Sequence, residues 1–215
     1  MGGYKLGIVN FLFVKKMKLL FPTVVHEFIV PHFPTSRDRI IKYVYEERRK
    51  DVEGVDYSNV GGWQSQPNYC DSNTPLRQLL HQPLIDYLYK RDVVEETGKV
   101  FEYNGLWINI NGKGNFNSSH NHPGCHMSGV FWIKTPPNCG NISFQSPHSF
   151  THANEMSRYK EEFRARTNSY PAYDFAPREG NILLFPASIM HKVDLNQSDE
   201  DRISLAFNIQ LVNAG

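Results

Sequence analysis

Cysteine is scarce in this chain of 215 residues, and what there is does not pair. Cys70, Cys125 and Cys139 are odd in number and contain no C-x-x-C spacing, which argues against a disulfide framework and for a reducing, cytoplasmic compartment. Cys125, close to a cluster of histidines, reads as a partly buried thiol. An excess of charge of one sign is missing too. The formal net charge is +1, so no basic face invites nucleic acid, and Lys15-Lys16-Met17-Lys18 is a short solvated cluster. No apolar run is long enough to span a bilayer. Leu6 to Val14, apolar except for Asn10, lacks a strongly basic leader and a small-residue cleavage site. It reads as a start extension or an added strand, so residues 1–19 are expected to be an N-terminal extension and no membrane partner is expected. Repeats and low-complexity segments are absent. One local absence matters more: no Asp or Glu occurs anywhere from Tyr103 to Asn154.

Hydrophobic content of 40% and charged content of 21% suit one globular domain, with or without an appended subdomain. Leu20 to Pro31 reads as a strand, because Val24, Val25, Phe28, Ile29 and Val30 are β-formers between prolines. Thr35-x-x-Asp38 resembles a capping box and predicts a helix over 36–50. Thr74-Pro75 places a cap before a proline at the first helical position, predicting a second helix over 75–96. Its Leu76, Leu79, Leu80, Leu84, Tyr87 and Leu88 form one apolar face. From Val100 the pattern has period two. Strands are expected around Leu106–Asn111, at Met127–Lys134, Asn141–Gln145, Asn181–Pro186 and His191–Asp194, and at Arg202–Val212. In the last, Ile203, Leu205, Phe207, Ile209 and Leu211 alternate with Arg202, Ser204, Ala206, Asn208 and Gln210. Many short strands with few helices predict a mainly β fold, a sandwich or barrel spanning 20–215 with flanking helices. Thr151 to Arg166 is expected to be a surface helix or loop insertion.

The chemistry concentrates in the histidines. Six of the nine fall between positions 120 and 191. His120 and His122, two apart on a strand, would face the same side and grip one ion, with His191 closing the triangle from a neighbouring strand. Imidazoles suit iron, zinc, copper and nickel alike. His126 lies across a Pro-Gly turn and reads as a loop residue; His148 and His152 flank a turn. Arg202 and Ser204 share the polar face of the last strand, where a guanidinium and a hydroxyl can grip a carboxylate together. If that face is buried, Arg202 awaits an anion; the alternative is an internal salt bridge to Asp199, Glu200 or Asp201.

These motifs resemble the 2-oxoglutarate/iron(II)-dependent oxygenases. The pattern is Trp107-x-Asn109, Asn115 through His120-Asn121-His122-Pro123, Ser128-Gly129-Val130, Phe185-Pro186, His191-Lys192-Val193 and Arg202 through Asn208, with Gly61-Gly62-Trp63-Gln64-Ser65 upstream. The resemblance runs from about Phe21 to Asn213. It implies a double-stranded β-helix of jelly-roll or cupin-like form, iron(II) held by His120 and His191, and 2-oxoglutarate on Arg202 and Ser204 with Asn109 as a further contact. His122 stands where the wider superfamily has a metal-binding carboxylate. Either the triad is all histidine or water fills that position. Three neutral ligands would leave the full charge of a divalent ion, which a doubly anionic 2-oxoglutarate neutralises.

The implied reaction uses molecular oxygen and hydroxylates a small-molecule or peptide substrate, releasing succinate and carbon dioxide. Trp107, Trp132 and His126 are candidate substrate contacts. The alternatives are a three-histidine cupin-type zinc hydrolase or thiol dioxygenase without 2-oxoglutarate, and a metal-stabilised binding module.

Overall fold

The computed structural model describes residues 19–71, 73–90, 99–148 and 158–213. Two antiparallel sheets face each other. β1 (His26–Ile29), β3 (Trp63–Gln64), β4 (Lys99–Asn111), β6 (Met127–Lys134), β9 (Asn181–Pro186) and β11 (Arg202–Asn213) form the larger, in the order β1-β9-β6-β11-β4-β3. β2 (Asn59–Val60), β5 (Phe116–His120), β7 (Ile142–Gln145), β8 (Ala172–Phe175) and β10 (His191–Val193) form the smaller, in the order β2-β5-β10-β7-β8. From β4 onward the chain passes back and forth between them. This is the expected double-stranded β-helix.

The larger sheet is buried on both faces. Ile203, Leu205, Phe207 and Ile209 of β11 join Leu106, Ile108 and Ile110 of β4 in a core shared with two helices. α1 (Phe33–Lys50) sets Phe33 edge-on to Phe131, ring centroids 4.9 Å apart. α2 (Pro75–Leu88) buries Leu76, Leu80, Leu84 and Leu88, a spacing of four that keeps one face on the sheet. Its Tyr87 stacks on Phe28 of β1 at 4.0 Å. The opposite face of the larger sheet meets the smaller one around Val130, Trp132, Ile142, Phe144, Leu183 and Phe185.

Several boundaries differ from the sequence expectation. Only His26–Ile29 of the predicted 20–31 strand pairs, with β9. α1 begins at Phe33, not 36, because Pro34 is preorganised for the first turn; Thr35 lies inside it and donates to His32 O at 2.8 Å, so the capping box does not form. Thr74 does cap α2, accepting from Arg77 N at 3.3 Å, but the helix ends at Leu88, not 96; 91–98 lie outside the described residues. Of the 151–166 insertion, the described part contributes the start of a short exposed helix, α3 (Glu161–Thr167). Residues 1–18, His152 and 149–157 also lie outside the described residues. No described helix is long and apolar enough to cross a membrane.

Gly129 explains part of the Ser-Gly-Val motif. It lies opposite Phe207 in the β6–β11 register, and a Cβ there would overlap the Phe207 ring. Gly129→Ala is therefore expected to cost about 1–3 kcal/mol through overpacking. Leu84→Ala, which empties a fully buried position, is expected to cost about 2–5 kcal/mol. Urea denaturation checks both: unchanged midpoints would contradict this packing.

Candidate metal centre

His191 and His120 are register partners across β10 and β5. Two imidazoles on adjacent strands at one register position must face the same side, and their ring centroids are 4.3 Å apart. His122 arrives differently from the sequence expectation. β5 ends at His120, so strand alternation does not place it. The backbone turns through Pro123-Gly124, where Gly124 has φ +83°, and ladder-like bonds hold the loop to the end of β9. His122 N donates to Ala187 O at 2.9 Å, and Ala187 N donates to His126 O at 3.2 Å. The His122 ring then lies 5.0 Å from that of His120 and 5.2 Å from that of His191. One ligand nitrogen from each of the three lies within 4.8 Å of the others, close enough to share one ion.

The rings are oriented by the main chain. His120 Nδ1 lies 2.7 Å from Ser118 O and His191 Nδ1 lies 3.0 Å from Ile189 O. A proton held on Nδ1 by a carbonyl leaves Nε2 with its lone pair toward the centre. Phe185 packs against His191, ring centroids 4.8 Å apart, and Trp107 approaches His122 at 5.7 Å. Burial holds all three histidines below their ordinary range, to about 4 for His122 and about 3 for His191, with proximity to His120 adding to the shift. They are neutral at physiological pH, as metal ligands must be.

A cavity of about 570 Å³ opens beside them. Its wall includes His120, His122, His191, Trp107, Asn109 and Ser204. β11 pairs Ser204 with Asn109 and Arg202 with Asn111 on β4, and Ser204 with Trp132 on β6. Arg202, 1% exposed, sits behind the wall. Its Nη1 donates to Cys139 O, and to Asp194 O at 2.9 Å, while Nη2 is buried without a partner. Desolvation lowers its pKa to about 10, which leaves it charged. The salt bridges considered from sequence do not form. Asp199 pairs with Lys113, Glu200 with Lys134, and Asp201 accepts from Tyr45 Oη.

Two candidate substrate contacts lie elsewhere. Trp132, 1% exposed, is packed between the sheets because its register position faces the inner core. His126 is exposed and accepts from Leu211 N at 3.2 Å. His148 is engaged with Phe21 O at 3.0 Å. Sequence reading did not single out Tyr57, Ser58, Asn104 or Asn117, which also line the cavity. Gln64 lines it too, and only its place in the Gly61–Ser65 motif marked it.

Residues 105–208, which carry the three histidines, Arg202 and Ser204, match the family model described as "Putative 2OG-Fe(II) oxygenase". The match supports a 2OG-Fe(II)-dependent oxygenase. Solved structures share the fold. The non-heme alpha ketoglutarate dependent carbocyclase SnoK from nogalamycin biosynthesis aligns with a TM-score of 0.61 at 14% identity, over 87% of this chain and 79% of its own. A Pseudomonas putida prolyl-4-hydroxylase aligns with 0.54 at 15%, over 90% and 94%. HygX from Streptomyces hygroscopicus, solved with nickel, 2-oxoglutarate and hygromycin B bound, aligns with 0.55 at 12%, over 87% and 83%. No curated protein sequence matches the chain.

The oxygenase's cofactors, iron(II) and 2-oxoglutarate, fit what is present. Three neutral imidazoles converge on one point, and a buried guanidinium behind the wall lacks an anion. The lowered histidine values have a consequence for folding. Because the folded-state values lie below the ordinary 6.5, the stability these groups contribute is whole above about 6.5 and is lost as pH falls toward the folded-state values. Chelator-treated protein is expected to weaken steadily across that window in urea titrations, and His122→Gln to flatten the dependence. A flat profile in the parent protein would contradict burial of neutral rings.

Proposed function

We propose that the enzyme hydroxylates an organic substrate while decarboxylating 2-oxoglutarate to succinate and carbon dioxide. The observation that supports this best is the pairing of the histidine cluster with Arg202, a buried cation whose Nη2 has no partner. His120 and His191 would hold the iron through Nε2, together with His122, and Arg202 and Ser204 would take the distal carboxylate of 2-oxoglutarate. Asn109, 6% exposed and opposite Ser204 in register, would add a hydrogen bond. Iron(II) with 2-oxoglutarate and molecular oxygen supplies the oxidising power that side chains lack. The protein positions and excludes water. Phe185, Val130 and Ile142 give the inner wall an apolar surface, and the main-chain carbonyls fix the imidazole tautomers. Trp107 beside His122 faces the space a substrate would occupy.

The structural neighbours are named with ligands of more than one size. SnoK and HygX are named with small-molecule chemistry, whereas a Trichoplax adhaerens relative of the same fold was solved with a peptide fragment. Both sizes are compatible with a cavity of about 570 Å³ open to solvent.

Two measurements test the assignment. Loss of any one of the three imidazoles to alanine is expected to lower iron affinity by at least the ~10–100-fold that loss of a supporting partner costs. Succinate formation with iron and ascorbate should vanish in parallel. Arg202→Met is expected to keep metal binding but abolish the rise in melting temperature that 2-oxoglutarate gives the metal-loaded protein. If Arg202→Met retains that rise, the carboxylate sits elsewhere.

A further inference from the structure

The cavity wall has a composition that the oxygenase reaction does not require. None of the described residues lining it is Asp, Glu, Lys or Arg. Eleven of the twenty-three are neutral hydrogen-bonding residues: six carboxamides (Gln64, Asn104, Asn109, Asn117, Asn121 and Asn208) and five hydroxyls. Two of the carboxamides are conspicuous. Gln64 is 4% exposed and Asn109 6% exposed, yet Gln64 Oε1 and Asn109 Oδ1 are buried without any partner. Buried carbonyl oxygens of this kind are costly to leave unpaired and call for a donor. They stand side by side, because β3 pairs Gln64 with Asn109, and β11 pairs Asn109 with Ser204. The row Ser204–Asn109–Gln64 thus crosses the sheet for about 10 Å, two strand spacings, from the cosubstrate's proposed seat to the last strand of the sheet.

We propose that the substrate is an uncharged, hydroxyl-rich small molecule of sugar or cyclic-polyol type, whose hydroxyls donate to Gln64 Oε1 and Asn109 Oδ1, leaving Asn109 Nδ2 for the cosubstrate's carboxylate, and whose apolar C–H face rests on Trp107. This rests on the oxygenase reading above. With three neutral imidazoles, a divalent ion and the 2-oxoglutarate dianion cancel, and the one remaining positive charge is on Arg202, which would be engaged with the distal carboxylate and does not line the cavity. A charged substrate would leave water for a cavity whose described wall offers no counter-ion. A hydroxyl-bearing one satisfies the orphaned oxygens and finds further amides and hydroxyls around them. Trp107 is half-buried, with its ring 5.7 Å from His122, so a ring seated on the indole is beside the metal ligands.

The test uses the full chain loaded with zinc, which is redox-inert, and 2-oxoglutarate. Calorimetry first measures 2-oxoglutarate binding. Saturation-transfer NMR then compares methyl glucoside, glucuronate and glucosamine, which share a framework and differ in charge. Methyl glucoside is expected to bind, and the two charged probes to bind at least about tenfold more weakly. Gln64→Glu should weaken methyl glucoside and strengthen glucosamine; Trp107→Ala should abolish saturation transfer, and either variant suffices if the other fails to fold. Absence of methyl glucoside binding, or equal or tighter binding of a charged probe, overturns the substrate class while calorimetry still shows the cosubstrate bound. Failure of 2-oxoglutarate itself to bind overturns the oxygenase assignment instead.

Discussion

β11 is buried on both faces, and the site depends on that constraint. Its outward side chains belong to the core beneath α1 and α2, so the strand cannot tilt or slip without opening that core. Its inward side chains are then committed to the space between the sheets, whatever their polarity. A guanidinium placed there is cut off from water, and the two main-chain carbonyls it reaches are not a counter-ion. A one-residue slip would exchange Arg202 for Ile203 and reverse both faces. The long ladders with β4 and β6 hold the register and set Asn109 and Ser204 at one level.

The other sheet supplies the opposite half. β5 and β10 carry His120 and His191 as register partners, and the loop after β5, fastened to Ala187 at the end of β9, adds His122. The cation-bearing larger sheet and the ligand-bearing smaller sheet thus face each other across one cavity. With Arg202 in its proposed role, these charges would suit a dianion with two separated carboxyl groups, one toward the metal and one toward the arginine. A carboxylate at position 122 would have removed one unit of that positive charge. Its replacement by imidazole makes the ligand set neutral, and the absence of acidic residues from 103 to 154 leaves that segment without a substitute.

Much of this is legible in the alternation of β11, which by sequence alone separates Arg202 and Ser204 from five apolar residues. The Ser-Gly-Val and Phe-Pro motifs carried real positional meaning: Gly129 admits the Phe207 ring, and Phe185 packs on His191. The placement of His122 was not legible, because spacing of two implies a strand and the strand stops at His120. Two loop-to-strand bonds, with partners more than 60 residues away, do that work. Trp132 was misplaced for a related reason. In a sheet buried on both faces, an aromatic on either side looks the same in sequence, and only the register shows that position 132 faces the inter-sheet core and not the opening. The start of α1 lies at Phe33 because a proline in the first turn outweighs a capping pattern that begins one residue later.

The candidate metal ligands and the remaining cavity-lining residues also divide along the chain. The metal ligands, Arg202 and Ser204 all lie within the family segment, 105–208. Tyr57, Ser58, Gln64 and Pro67, which line the cavity, precede it. They are brought in by two very short strands, β2 on β5 and β3 on β4, each adding to an edge of the sheet that carries part of the site. Edge pairing through main-chain bonds leaves side-chain identity free, so residues there can change without disturbing the ladders that hold the metal ligands. Gln64 is placed by its backbone and unpaired at its amide oxygen. That combination suits a residue whose side chain answers to a ligand and not to the fold.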